Sequence, residues 1–253
     1  MINGKDYRVF KLPKKSGGFR MIHAPSTNLK MIQREMLPDL VSVFRKTEKH
    51  LGLGRIAHGF IKGRNAVTGA KQHIGYAVTL QMDISNFFDN VTIDMVRKAF
   101  TVSGHSVGIA VEEHCFVRGN LIQGFVTSPI LATIAILPVL RNIKQRITKY
   151  DARLTMYADD VQISTNSTSY DALNDLQSIV TEEFGYLGLE INRKKTRSRF
   201  AKYGYRKILG VNVGDDHVRA TRKVMRKIRA AEHQENGRSL GGLRNWASCP
   251  IPK

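Results

Sequence analysis

Two segments of the sequence each bring acidic side chains to the end of an apolar strand. The segment RLTMYADDVQIS (153–164) alternates apolar and polar residues around two acids, which predicts a hairpin with Tyr157–Asp160 at its turn. The run YAVTLQMDI (76–84) has the β-branched and apolar content of a buried strand and delivers Asp83 at its end. A fold for this chain must therefore contain strands whose ends carry the carboxyl groups of Asp83, Asp159 and Asp160.

Carboxylates gathered at strand ends repel one another unless they are protonated or bridged by a divalent cation. Hard oxygen ligands suit Mg²⁺, and two such ions about 4 Å apart activate an attacking hydroxyl and stabilise a leaving oxygen in phosphoryl transfer. We therefore expect a Mg²⁺ site at these residues. The alternative is that they are simple turn aspartates, because Asp is favoured in turns.

The charge of the chain indicates a polyanionic partner. Forty Lys and Arg against twenty-one Asp and Glu give a net charge of +19, and cations bind phosphate backbones with release of counterions. The excess is concentrated in residues 191–230, where fourteen basic residues face only Asp215 and Asp216. Nucleic acid is the expected partner, although charge alone also fits a ribosomal or chromatin-like binding protein.

Membrane association and secretion are not expected. The 253 residues can bury a globular core, no apolar run reaches the roughly 18 residues of a membrane span, and the first residues lack the apolar stretch of a signal peptide. Cys115 and Cys249 lack the spacing of a disulfide framework or a zinc site. We expect a cytoplasmic protein.

The remaining pattern mixes strands and helices. Residues 11–20 predict two strands around a Gly-Gly turn, followed by a helix over Leu29–Leu40. Residues 51–75 are punctuated by glycines and predict a loop-rich connection. Further predictions are helices over 92–103, 106–116, 127–147 and 169–187, a short loop or strand at 120–125, a strand pair around 206–219, and a basic helix over Thr221–Glu232 with Val224, Met225, Ile228 and Ala231 facing inward. The segment from Leu240 onward is not assigned.

Six segments in this order resemble the reverse transcriptases of bacterial retrons, group II introns and related defence systems, over about residues 10–230. They are PKKSGGFRMI with PSTNLKMIQREMLP (13–38), QMDISNFFDNV (81–91), NLIQGFVTSPILA (120–132), YADD (157–160), GLEINRKKT (188–196) and KILGVNV (207–213). They resemble, in turn, the fingers block, the first acidic palm motif, the Gln-Gly motif, the catalytic hairpin, the Gly-Leu-x-x-Asn-x-x-Lys-Thr motif and the primer grip.

Within retrons, the segment AHGFIKGRNAVTGAKQHIG (57–75) resembles the stretch between fingers and palm, where Asn-Ala-x-x-His is typical. This chain departs from that pattern, reading Gly-Ala-Lys-Gln-His at 69–73. The retron signature Val-Thr-Gly is also altered, to Ile208-Leu209-Gly210. His73 is at least as readily a hydrogen-bonded structural histidine as a functional one.

The resemblance implies an α+β right-hand polymerase fold. Residues 1–80 would form the fingers with the start of a palm strand, and residues 81–213 the palm, an antiparallel sheet flanked by helices, with an interleaved fingers segment at about 92–120. Residues 214–253 would form a short, basic, helical thumb. Because the thumb is short, grip on a duplex would depend on an RNA, a protein or an oligomer.

The resemblance also implies residue roles. Asp83, Asp159 and Asp160 would be catalytic and would bind metal together with the carbonyl of Ile84. The bulky side chain of Phe88 would exclude a ribose 2′-hydroxyl, because an apolar wall offers that hydroxyl no partner. Core packing is the alternative for one of Phe87 and Phe88. The other implied dNTP-binding residues are Lys14 (or Lys15), Arg20, Gln123, Gly124 and Lys195, and the primer- or template-binding residues are Tyr157, Lys207, Gly210, Arg222 and Arg226.

The implied function is RNA-directed DNA synthesis from dNTPs with two Mg²⁺ ions, for which Mn²⁺ is a possible substitute. The implied partners are a structured noncoding RNA that serves as template and primer, its DNA product, and an effector protein or further copies of the chain, in antiphage defence and without a membrane. The alternatives are an RNA-dependent RNA polymerase, a non-catalytic nucleic-acid-binding scaffold with a palm fold, an intron maturase, and template-independent or protein-primed synthesis.

Overall fold

A computed structural model of the protein describes residues 2–14, 17–234 and 237–249. In chain order the elements are β1 (Tyr7–Pro13), β2 (Phe19–Pro25), α1 (Thr27–His50), α2 (Ala66–Lys71), β3 (Val78–Asp83), α3 (Phe87–Asn90), α4 (Ile93–Val102), α5 (Ile109–Cys115), α6 (Ser128–Ile147), β4 (Arg153–Tyr157), β5 (Asp160–Thr165), α7 (Tyr170–Gly185), β6 (Arg197–Phe200), β7 (Arg206–Ile208), β8 (Val211–Val213), β9 (Val218–Ala220), α8 (Arg222–His233) and α9 (Gly237–Ala247).

The chain forms two compact units, each assembled from segments that are distant in sequence. The first unit consists of Met1–Gly54, Ser85–Lys144 and Glu182–Glu190. The second consists of Arg55–Ile84, Gln145–Thr181 and Ile191–Lys253. The ranges expected for fingers, palm and thumb, with the interleaved fingers segment at about 92–120, stay a prediction.

In the first unit, the predicted hairpin around the Gly-Gly turn is confirmed. β1 and β2 pair antiparallel, with Pro13 opposite Phe19. α1 begins where the Ser26 hydroxyl accepts a hydrogen bond from the Leu29 backbone N–H at 3.3 Å. The predicted end of this helix at Leu40 is wrong, because α1 continues through Pro38 to His50 and buries Phe44 on the way.

The first unit is held together by a buried glutamine and a small apolar cluster. The Gln33 side chain donates to the His114 carbonyl at 2.7 Å and accepts from the Val126 N–H at 2.9 Å. Leu29 packs with Ile122 and Phe125 in an adjoining cluster. Because these contacts span three distant segments, they fix α1 against α5 and against the loop that precedes α6.

In the second unit, β4, β5, β3 and β6 form an antiparallel sheet in that order. The hairpin predicted over 153–164 is confirmed as β4 and β5, and the strand predicted over 76–84 as β3. β6 was not expected, since its sequence RSRF has little of the apolar content that marks a buried strand. As an edge strand, β6 is largely exposed.

The strand pair predicted around 206–219 is a three-stranded antiparallel sheet, β7, β8 and β9, which we call the meander. It packs on α2, since Val67 and Ala70 share a buried cluster with Ile208 and Val211. α2 was missed within the glycine-rich connection, although Asn65 and Thr68 form a reciprocal capping box at its start.

The helices predicted over 92–103, 106–116, 127–147 and 169–187 are confirmed as α4, α5, α6 and α7, with small shifts at their ends. The basic helix is confirmed as α8, and Ile228 and Ala231 are buried as expected. Met225 was expected to face inward but is 41% exposed. Among the described residues, no helix combines the length and the apolar character required to cross a bilayer.

Candidate active site

The register of the sheet brings the predicted carboxylates together at one end of the second unit. Asp83, the last residue of β3, lies directly opposite Asp160, the first residue of β5. Asp160 also pairs with Tyr157 across the hairpin, so that Ala158 and Asp159 form the two-residue turn. Ala158 has a φ of 56°, a left-handed conformation that an L-residue adopts at a cost. The end of the sheet is therefore shaped around these three acids.

Backbone contacts hold this turn in place from two sides. The Ile84 N–H donates to the Asp159 carbonyl at 3.0 Å, which ties the end of β3 to the turn. On the other side, a Cβ added to Gly59 would lie 2.5 Å from the Ala158 nitrogen, so only glycine permits this approach. The sequence analysis missed the role of Gly59, and the only signal was its place in a segment rich in glycines.

The segment around Gly59 runs alongside β4. The Met156 N–H donates to the Ile56 carbonyl at 2.9 Å, and the His58 N–H donates to the Met156 carbonyl at 2.8 Å. The ring of Phe60 then lies 6.4 Å from the ring of Tyr157. Tyr157 is half-buried beside Asp160, in a place where its side chain can support a bound strand.

Lys195 is the predicted nucleotide-binding residue that contacts the acids directly. Its Nζ lies 2.8 Å from Oδ2 and 3.0 Å from Oδ1 of Asp83. The turn that carries Lys195 is itself fixed to β3, because the Asn192 N–H donates to the Asp83 carbonyl at 2.7 Å. The GLEINRKKT segment thus places a cation on one of the three carboxylates.

The electrostatics of the site favour added positive charge. The pKa of Asp160 is raised to about 6, first by burial and then by the charges of Asp159 and Asp83, against the opposing effects of Gln81 and Lys195. Within the described part of the chain, no three acidic, histidine or cysteine side chains are already arranged as a metal cluster. The donor set nevertheless fits a hard dication, since three oxygen ligands converge on one end of the sheet with a single ammonium group among them.

The face of the sheet that carries the acids is polar along its length. Below the acids, His73 is fully buried, with Nε2 at 2.7 Å from Thr155 Oγ1 of β4 and Nδ1 at 2.8 Å from Ser164 Oγ of β5. Ser164 Oγ is in turn 2.6 Å from Thr79 Oγ1 of β3. Burial lowers the pKa of His73 to about 3, so the ring is neutral, and its structural role is confirmed.

Arg206 extends this polar network to the meander. Its guanidinium donates to Thr79 Oγ1 at 3.3 Å, to the His73 carbonyl at 2.9 Å and to the Gly214 carbonyl at 3.2 Å. The sequence analysis counted Arg206 among the cations of a basic surface, but the residue is 1% exposed. Arg206 therefore joins the meander to the sheet and is not available to a ligand.

In the first unit, the predicted cations stand on the β1–β2 hairpin. Arg20 lies in β2 opposite Leu12, and both side chains are exposed. Lys14 follows β1 and is also exposed, with its N–H donating to the Gly18 carbonyl at 3.0 Å. Lys15, the alternative to Lys14, is outside the described residues. Exposed cations on a short ribbon are accessible to a phosphate.

Gln123 and Gly124 are packed against β2. The His23 N–H donates to the Gln123 carbonyl at 2.8 Å. Gly124 has a φ of 117°, and a Cβ at this position would collide with the His23 carbonyl oxygen. The close approach that requires glycine here is therefore to the backbone of the chain itself.

The two phenylalanines of the first acidic motif have different environments. Phe87 is 4% exposed and belongs to the core, whereas Phe88 is half-buried on α3. Burial raises the pKa of the neighbouring Asp89, and His23 and Lys14 act in the opposite direction through their charges. Of the two rings, Phe88 is the one that a ligand can reach.

The predicted primer- and template-binding residues stand on the meander and on α8. Lys207 is exposed on β7, and Gly210, with a φ of 81°, completes the turn to β8. Arg222 and Arg226 are exposed on α8. The structure brings together Asp83, Ile84, Asp159, Asp160, Tyr157 and Lys195, while these four residues stand on the meander and on α8 of the second unit.

The family model described as "Reverse transcriptase (RNA-dependent DNA polymerase)" matches residues 12–213 of the sequence. The chain belongs to this reverse transcriptase family. The match covers all three carboxylates and all of the nucleotide-binding residues predicted above.

The curated relatives of this reverse transcriptase chain include retron enzymes. The Retron Mx65 reverse transcriptase of Myxococcus xanthus is 32% identical over 91% of this chain and 56% of its own length. The Retron Ec48 and Ec86 reverse transcriptases of Escherichia coli are 27% and 28% identical, over 90% and 96% of this chain and 57% and 75% of their own lengths. The chain thus spans a little over half the length of two of these relatives. The predicted retron-type resemblance is confirmed.

Solved structures of other reverse transcriptases share the fold. Apo telomerase from Candida tropicalis superposes with a TM-score of 0.59 at 13% identity, covering 87% of this chain and 50% of that one. Telomerase from Candida albicans, solved with a fragment of telomeric RNA, gives a TM-score of 0.58 at 13% identity, covering 85% of this chain and 45% of that one. The predicted α+β right-hand polymerase fold is confirmed.

Proposed function

We propose that the protein is an RNA-directed DNA polymerase that adds dNTPs to a primer hydroxyl by two-metal phosphoryl transfer. The observation that carries this proposal is the register of the second unit's sheet, in which Asp83 lies opposite Asp160 with Asp159 in the adjoining turn. Three carboxylates on adjacent strand ends, in a chain of the reverse transcriptase family, support nucleotidyl transfer over a purely structural role for the acids.

Asp83, Asp159, Asp160 and the carbonyl of Ile84 would hold Mg²⁺, or Mn²⁺ in its place. When bound, the ions would make the primer hydroxyl a better nucleophile and stabilise the charge that develops on the leaving pyrophosphate. The raised pKa of Asp160 supports this assignment, because burying carboxylates near one another is costly until a cation neutralises them.

The chain's own residues would bind and orient the reactants. Lys195, an exposed cation beside Asp83, would contact pyrophosphate and deliver a proton to it. Lys14 and Arg20 would bind the triphosphate, because paired cations stabilise phosphate charge. Phe88 would exclude the ribose 2′-hydroxyl, and Gln123 and Gly124 would support the nucleotide and template.

The remaining roles concern the nucleic acid. Tyr157, Lys207, Gly210, Arg222 and Arg226 would contact primer and template, with residues 1–80, 81–213 and 214–253 acting as fingers, palm and thumb. The curated relatives are retron enzymes, which supports a structured noncoding RNA as template and primer, a single-stranded DNA product, cytoplasmic location, a role in antiphage defence, and an effector protein or self-association.

The decisive experiment is primer extension by purified protein on an RNA template with Mg²⁺, using dNTPs or rNTPs. We expect incorporation of dNTPs, abolished in the double variant Asp159→Ala, Asp160→Ala. Incorporation of rNTPs in preference to dNTPs would establish an RNA-dependent RNA polymerase instead. Incorporation of neither, by a protein that still binds RNA, would establish the scaffold alternative. Sequencing nucleic acid that co-purifies from the native host would identify the template and the product.

A further inference from the structure

The connection between β6 and β7 presents aromatic side chains on the surface of the second unit. Tyr203 is 79% exposed and Tyr205 is 38% exposed, and they are separated only by Gly204. The ring of Phe200 lies 6.2 Å from that of Tyr203, at an interplanar angle of 80°. Large exposed rings grouped along one short connection are a typical platform for stacking ligands.

Cations accompany these rings. Lys202 Nζ lies 5.1 Å from the Tyr203 ring centroid and 5.7 Å from that of Phe200. The guanidinium of Arg219 lies 3.7 Å from the Tyr205 ring centroid. Both cations are exposed. Besides the buried Arg206, residues 197–219 hold five Lys or Arg against Asp215 and Asp216, and His217 Nδ1 contacts Asp216 at 2.5 Å.

The platform lies away from the candidate active site. β6 pairs with β3 so that Phe200 is opposite Val78, five residues before Asp83. Five strand residues span roughly 17 Å at about 3.3 Å each. Tyr205 also lies at the end of β7 opposite to the Leu209–Gly210 turn. A ligand on these rings would therefore contact neither the carboxylates nor that turn.

We propose that this aromatic platform, formed by Phe200, Lys202, Tyr203, Tyr205 and Arg219, binds an unpaired segment of the RNA partner outside the catalytic centre. Bases stack on Tyr203, while Lys202 and Arg219, whose guanidinium lies on the Tyr205 ring, contact the phosphates. The proposal rests on the proposed function in one respect, namely that RNA is the partner.

The charge and the aromatic rings of this surface favour unpaired RNA as its ligand. The net positive charge favours a polyanion over a protein. Ring faces can be used only by bases that are not paired, because duplex bases already stack on each other. An RNA segment outside the copied region is favoured over the DNA product and the copied template, because both of these move by one nucleotide at each addition and a fixed stacking contact would oppose that movement.

The test is a binding titration by fluorescence anisotropy in EDTA, which prevents synthesis. The probes are a hairpin RNA with an unpaired extension, the same hairpin without it, and a hairpin with a DNA extension. We expect Tyr203→Ala and Lys202→Ala each to weaken binding of the RNA-extended hairpin by about tenfold, in the range for one lost stacked base, and to leave the blunt hairpin unchanged.

The matched control is Tyr186→Ala, since Tyr186 is also 79% exposed but lies in the first unit. It should bind every probe as the unaltered protein does. Tyr203→Phe keeps the ring and should bind within about twofold of the unaltered protein, since stacking needs the ring face and not the hydroxyl.

Three results would overturn the proposal. Unchanged binding of the extended RNA by Tyr203→Ala and Lys202→Ala would show that the platform does not bind RNA. An equal loss on the blunt hairpin would indicate general charge attraction. A loss on the DNA extension that exceeds the loss on the RNA extension would make the DNA strand the ligand. Loss of synthesis in the Asp159→Ala, Asp160→Ala variant with RNA binding retained separates this test from that of the polymerase activity.

Discussion

Lys195 holds the carboxylate of Asp83 through both oxygens, at 2.8 and 3.0 Å from its Nζ. The Asp83 side chain is 13% exposed and that of Lys195 is 56% exposed, so the ammonium group closes the solvent side of the carboxylate. A dication that binds Asp83 must share the carboxylate with this cation or replace it. Under the proposed function, the ion pair would therefore oppose metal binding at Asp83 while it supplies positive charge for the nucleotide.

Lys195→Ala is expected to raise the affinity of the protein for Mg²⁺ by about two- to fivefold, the strength of a solvent-exposed ion pair. The affinity is measured from the rise in melting temperature with Mg²⁺ concentration. Lys194→Ala, at the exposed neighbouring position, is the control and should change little. A lower Mg²⁺ affinity in Lys195→Ala would contradict competition between the Lys195 ammonium group and Mg²⁺ for the Asp83 carboxylate.

Asp160→Asn is expected to stabilise the protein at pH 7.5 in EDTA. Burial raises the pKa of Asp160 from its ordinary value of 3.8 to about 6 in the folded protein, so its favourable contribution to stability is present below pH 3.8 and is lost as pH rises through 6. Asparagine does not ionise, so the variant does not lose this stability as the pH rises. The gain in melting temperature should be a few degrees at pH 7.5, about 2–4 °C for each kcal/mol.

The same melting curves recorded down to pH 4 check the sign of this effect. The advantage of Asp160→Asn should shrink as the pH falls, because the unaltered carboxyl is then protonated. Saturating Mg²⁺ should stabilise the unaltered protein more than the variant. An advantage that grew toward pH 4 would show that the carboxylate is stabilising in the folded state.

Gly59→Ala is expected to reduce primer extension by at least tenfold, because its Cβ, 2.5 Å from the Ala158 nitrogen, must displace the catalytic turn and an error of about 1 Å in such a site costs roughly a hundredfold. Gly185→Ala is the control, because it makes the same substitution at a position where a Cβ has no atom within 4 Å. Equal rates for the two variants in steady-state extension assays would show that the turn does not depend on this contact.

Phe88→Ala is expected to admit rNTPs, which single-nucleotide incorporation with dNTP and rNTP pairs would detect as a lower preference for dNTPs. Phe87→Ala should instead destabilise the fold by about 3–5 kcal/mol, as for a buried phenylalanine. Urea unfolding separates the two effects. Unchanged discrimination in a folded Phe88→Ala protein would remove Phe88 from the selection of the sugar.

The parts of the site that sequence patterns predicted are those with a strong local signal. Apolar and polar residues alternate around Asp159 and Asp160, which predicts two strands with the acids at their turn. The apolar run before Asp83 predicts a buried strand. The pairing of Asp83 with Asp160 is a matter of register between segments that are 77 positions apart. The resemblance to reverse transcriptases supplied what the local pattern could not.

The features that escaped prediction depend on contacts between distant segments. Position 59 must be glycine because the backbone of Ala158 lies so close to it, and nothing in the neighbouring sequence predicts that contact. Arg206 lies in a basic stretch in which most side chains are exposed. Its burial against Thr79 could therefore be found only from the structure. The predicted end of α1 at Leu40 was too early, because packing of the later turns, with Phe44 buried, carries the helix to His50.

Arg206 has a consequence for judging which members of such a family are active. Its guanidinium connects β3, the loop before β3 and the residue after β8, yet none of the acidic motifs includes it. A homologue could retain YADD and every other motif and still be inert, if a shorter side chain at this position let the meander part from the sheet. The motifs alone therefore do not record every contact by which the meander is held to the sheet that carries the acids.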